Sequence, residues 1–95
     1  MSLFILTCTD KPGALDLRMA TREAHLAYVR EHLAMIKVAG PLLDDAGGMA
    51  GSMFIIEADS AAAVEAFSAA DPYRLAGLFD QVSLRPWKIT VGAFA

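Results

Sequence analysis

Ser2-Leu3-Phe4-Ile5-Leu6-Thr7-Cys8-Thr9, then Asp10-Lys11-Pro12-Gly13, then the run from Ala14 to Ile36, is the stretch that decides the fold. Residues 2–9 read as a strand: short, β-prone and closed by a turn signal. Leu3 and Ile5 fall on one face, and Phe4, Leu6 and Cys8 on the other. A strand apolar on both sides needs cover on both sides. Residues 14–36 read as one long helix, because Leu15, Met19, Leu26, Val29, Leu33 and Ile36 keep helical spacing. The pattern has one gap, at Arg22.

Working outward, residues 36–42 read as a strand that Gly40-Pro41 closes, and Asp44 to Gly48 as a loop. Residues 51–58 form a second strand with two apolar faces. Asp59 or Ser60 caps a helix over 61–70, with Val64 and Phe67 turned inward. Asp71-Pro72 ends that helix or begins a short new turn, and Ala76 to Leu78 reads as a helical turn. Residues 80–91 read as the last strand, with Val82, Leu84, Trp87 and Ile89; Pro86 suits an edge or a bulge. The tail Val91 to Ala95 is apolar and suited to docking. The order predicts one α+β domain over 1–95, a ferredoxin-like βαββαβ sandwich whose antiparallel sheet carries two helices on one face.

Composition narrows the function classes. Of 95 residues, 56% are apolar and 20% charged, more apolar surface than one small core hides easily. A homodimer covering the bare sheet face is the expected answer. The net charge of −3, with no basic run, argues against nucleic acid. No stretch is long enough to cross a membrane, and the apolar run at Leu3 to Leu6 is too short for a signal-peptide core. Cys8 is the sole cysteine, so no intramolecular disulfide can form. A reducing, cytoplasmic setting fits, and a buried, inert thiol is the favoured reading of Cys8.

The chemistry gathers on the first helix. At about 100° per residue, positions 18, 22 and 25 fall within roughly 60° of one another, so Arg18, Arg22 and His25 share one stripe. An imidazole is the side chain best matched to moving protons near neutral pH. A guanidinium grips a carboxylate or an enolate. Arg22 is the stronger ligand candidate because it fills the gap in the apolar pattern; Arg18 could equally be structural. Ser52, beside Gly51, could hydrogen-bond a ligand, as could the hydroxyl of Tyr73. Asp71 has two readings: partner of His25, or organiser of the turn before Tyr73. His25 and His32 lack a third matched ligand, so no metal is expected.

The segments Arg22-Glu23-Ala24-His25-Leu26, Ala39-Gly40-Pro41, Gly51-Ser52, Asp71-Pro72-Tyr73 with Ala76-Gly77, and Pro86-Trp87 together resemble the YciI-like (YCII-related) family. The resemblance implies a dimeric ferredoxin-like sandwich with a histidine and an aspartate in a cleft at the dimer interface. His25 matches the histidine by motif, and Asp71 is the aspartate to pair with it. An elimination on a chlorinated aromatic is associated with the family. The loop between Pro41 and Gly51 is shorter here than in many members.

Three function classes follow. The first is a cofactor-independent enzyme in which His25 is general base or acid and Asp71 orients it. Arg22, Arg18, Ser52 and Tyr73 would bind a small anionic or phenolic substrate for elimination or isomerisation. The second is a non-catalytic ligand-binding module using the same cleft. The third, a haem-handling or oxygenase protein of the same architecture, has no axial-ligand pattern behind it.

Overall fold

The two strands that are apolar on both faces become the interior strands of a four-stranded antiparallel sheet. The computed structural model describes residues 1–93. In chain order its elements are β1 (Ser2–Asp10), α1 (Leu15–Arg30), β2 (Ile36–Leu43), β3 (Met49–Ala58), α2 (Ala61–Ala69), α3 (Pro72–Leu75) and β4 (Phe79–Trp87). The sheet order is β2-β3-β1-β4. The strands holding Pro41 and Pro86 are the two edges, where a missing N–H costs no ladder bond. This is the expected α+β ferredoxin-like arrangement, with α3 as an added turn of helix.

Register builds the core. Phe4 stands opposite Ile56, Leu6 opposite Phe54, and Cys8 opposite Ser52. The apolar side chains of that face pack with Val64 and Phe67 of α2 in one buried cluster. Each such side chain, fully buried, contributes about 1.5–3 kcal/mol. Ser60 supplies the α2 N-cap, its Oγ accepting from Ala63 N–H at 3.2 Å. On the opposite face Leu3 and Ile5 are only half-buried, and Val38, Met53 and Trp87 are exposed.

Three expectations are corrected. The first helix stops at Arg30, six residues before the predicted end. His32 Nδ1–H donates to the Tyr28 carbonyl at 2.7 Å, and His32 N–H donates to the Val29 carbonyl at 2.9 Å, so the chain tightens and turns away. The apolar stripe faces inward only in part: Leu26 and Val29 are half-buried, but Leu15 and Met19 are 48% and 50% exposed, and the fully buried residues of α1 are Arg18 and His25. A polar network, described below, turns the helix that way. The short helical turn lies at Pro72–Leu75, ahead of 76–78, because Asp71 caps it and Gly77, at φ +78°, reverses the chain after it.

The last strand also ends early, at Trp87. Val91 is exposed, so that part of the tail makes no docking contact within the chain, and Phe94 and Ala95 lie outside the described residues. Among the described residues, no helix is long and apolar enough to cross a membrane.

Candidate active site

A cavity of about 140 Å³ opens between α1 and the β2–β3 side of the sheet. Strand alternation supplies its floor. Ala39 pairs with Phe54 and Pro41 with Ser52, so these four residues present one face to the helix. From α1 come Arg18, Arg22, His25, Leu26 and Val29. An apolar cavity of about 150 Å³ accommodates a benzene ring, so this one has room for a single six-membered ring.

His25 is buried at the cavity wall, and its Nδ1 lies 2.8 Å from Asp71 Oδ1. A carboxylate oxygen accepts only, so Nδ1–H donates to it. That leaves Nε2 as the nitrogen of the neutral ring with a free lone pair. The same Oδ1 accepts the backbone N–H of Tyr73 at 2.9 Å, capping α3. Asp71 therefore meets both readings of the sequence with one atom: it organises the turn and pairs with the imidazole. The Tyr73 ring, almost wholly buried, stacks on His25 at 3.9 Å between centroids, tilted by 17°. Phe54 meets the imidazole edge-on at 6.1 Å.

Arg18 and Arg22 part company. Arg18 is buried, its Nη1 on both oxygens of Asp10 at 3.0 Å and its Nη2 donating to Ser52 Oγ at 2.8 Å. Its Cζ sits 4.7 Å from the centroid of the Tyr73 ring, a cation–π contact. Arg18 Nε–H is buried with no acceptor among the described residues. Arg22 is exposed at the rim of the cavity. The gap in the apolar pattern thus marked the accessible arginine and missed the one holding the site together. Asp10 also escaped the sequence reading, which treated it as a turn residue. Its signal was the alternation Phe4, Leu6, Cys8, which carries Asp10 onto the helix-facing side of the sheet.

Burial sets the titration of the neighbouring groups. It pushes the Tyr73 phenol above its ordinary value; Arg18 and Arg22 draw it down and Asp71 and Asp10 raise it further. Burial also pushes the Cys8 thiol up to about 12, with Asp71 adding to the effect. Such a thiol is not a nucleophile at neutral pH. Among the described residues, no three His, Cys, Asp or Glu side chains converge as metal ligands.

Residues 2–88 match the YCII-related domain family. Protein YciI of Escherichia coli is 35% identical over 94 residues, covering 90% of this chain and 96% of that protein. The solved structure of the 5-chloro-2-hydroxyhydroquinone dehydrochlorinase TftG from Burkholderia phenoliruptrix, in complex with 2,5-dihydroxybenzoquinone, is 40% identical, with a TM-score of 0.84 covering 90% of this chain and 93% of that one. An antibiotic biosynthesis monooxygenase shares the fold alone, at 15% identity and a TM-score of 0.58, covering 96% of this chain and all of that one.

Proposed function

Because this chain belongs to the YCII-related domain family, we propose that it is a small enzyme in which His25 moves a proton to or from an anionic or phenolic ligand in the α1–sheet cavity. The observation that carries the reading is the tethered imidazole. Nδ1 is engaged by Asp71 at 2.8 Å, and the ring lines a cavity sized for one aromatic ring. An ionised Asp71 stabilises the imidazolium that forms when Nε2 accepts a proton. Arg22 at the rim draws in the negative charge of the ligand, and the Ser52 hydroxyl is a further hydrogen-bond donor on the floor.

The reaction class is elimination or isomerisation. His25 Nε2 takes a proton from an acidic O–H or C–H of the ligand. The electron pair left behind moves into the conjugated system. For loss of chloride from a chlorinated hydroxyarene, that pair first takes up a proton at the chlorine-bearing carbon; removal of a second O–H proton is then balanced by departure of chloride with its bonding pair, leaving a quinone. No redox partner is needed. The identity shared with the dehydrochlorinase supports this class. A reducing compartment suits the free, buried Cys8, and the protein acts as a homodimer.

The test is chloride release from 5-chloro-2-hydroxyhydroquinone, measured with an ion-selective electrode for the wild type and His25→Gln. Release by the wild type, reduced at least 10²-fold by the substitution, supports the enzyme reading. Undiminished release by His25→Gln contradicts it. Saturable binding of 2,5-dihydroxybenzoquinone with no turnover of the chlorinated substrate would favour the non-catalytic module.

A further inference from the structure

We propose that Asp10 is a positioning residue of this site, acting on His25 through Arg18 and the ring of Tyr73. The inference rests on the acid/base reading only for its functional meaning; its geometry stands apart from it. The Asp10 side chain is 6% exposed and that of Arg18 4% exposed, so each ion would be costly to bury alone. Asp10 meets that cost by presenting both oxygens to Arg18 Nη1. With its end so anchored, the guanidinium lies over the Tyr73 ring and donates to Ser52 from Nη2. The ring of Tyr73 in turn carries the stacked imidazole.

Two supports therefore hold His25. Asp71 fixes the ring at Nδ1 and also fixes the Tyr73 backbone. Asp10, at the far end of the helix-facing row of β1, fixes the Tyr73 side chain through Arg18. The arrangement also assigns the two arginines. Arg18 has its charge matched by Asp10 and serves as a strut. Arg22 has no carboxylate partner among the described residues and is the guanidinium available to a ligand at the cavity. A ligand anion that reached Arg18 would compete with Asp10 for a cation already taken.

The chain has two histidines, so their ring C–H signals are separable by NMR, with His32 as an internal control. Stacking on Tyr73 places the His25 ring protons in the shielding cone of the phenol. The spectra are recorded with both imidazoles neutral, for the wild type, Asp10→Asn, Arg18→Met and the double variant. The expected result is loss of the upfield shift of His25 in each variant, with His32 unmoved. The double variant should show no greater loss than either single one, because the two residues act in series. The double variant leaves no buried cation unpaired, so it decides the matter if Asp10→Asn alone is too unstable for a spectrum. A folded double variant whose His25 signals keep their wild-type positions overturns the proposal. So do single displacements that add, which would make the two residues independent. The readout needs neither ligand nor turnover, so its failure leaves the acid/base reading standing, and the reverse also holds.

Discussion

At the scale of single residues, the site is a set of charges sorted by burial. His25 and Arg18 lie two helical turns apart on one line of α1, and that line was legible from a rotation of about 100° per residue. What the rotation could not reveal is which guanidinium is matched. That depends on Asp10, a residue close in sequence but brought to Arg18 only by the strand–helix crossing. The two arginines are therefore expected to respond differently. Arg18→Met strips Asp10 of its partner and should cost about 3–5 kcal/mol of stability in a denaturant titration. Arg22→Met should change stability by no more than about 0.5 kcal/mol, yet weaken an aromatic carboxylate probe such as benzoate in calorimetry. Equal effects of both on stability would contradict the division of roles. Cys8 gives a pH dependence. Its thiol is raised from 9.0 to about 12, so between those values the folded chain keeps a proton that the unfolded chain has released. Its contribution is fully present below the lower value and is lost as pH climbs toward the upper one. Cys8→Ala should flatten the alkaline fall in stability measured by urea unfolding at stepped pH.

At the scale of elements, the strands were read more faithfully than the helix. β1 and β3 show two apolar faces in the sequence, and interior strands need them; Pro41 and Pro86 mark the edges for an equally physical reason. The first helix misled over its first turns, where Leu15 and Met19 keep the apolar spacing but face solvent, while Leu26 and Val29 further along are half-buried. Hydrophobic spacing assumes that burial is apolar, whereas α1 buries Arg18 and His25 against a polar network and leaves Leu15 and Met19 exposed. Its end was illegible too: no glycine or proline lies between Arg30 and Ile36, and the stop is made by a His32 side chain on the Tyr28 carbonyl. Close strand approach gives a prediction at this scale. A Cβ on Gly51 would lie 2.4 Å from the Cys8 carbonyl oxygen, a backbone atom with little freedom to retreat. Gly51→Ala should therefore destabilise by about 1–3 kcal/mol, read as a lower Tm. An unchanged Tm would mean that β1 and β3 are less tightly joined than the register implies.

At the scale of the whole molecule, the helices cover one face of the sheet and leave Val38, Met53 and Trp87 exposed on the other. The proposed homodimer would bury that face. Light scattering should give twice the chain mass for the wild type and the chain mass for Met53→Asp, since a carboxylate in an apolar interface finds no partner. Retention of the larger mass by Met53→Asp would put the contact elsewhere. The proposed proton transfer turns on one nitrogen: Nδ1 of His25 donates to Asp71, which leaves Nε2 as the atom that would receive a proton from a ligand. The direct measurement is a long-range ¹H–¹⁵N correlation spectrum of the ¹⁵N-labelled protein with the imidazoles neutral. The expected result is a protonated Nδ1 and an unprotonated Nε2 for His25, with that preference lost in Asp71→Ala. A wild-type ring protonated at Nε2 would contradict the account.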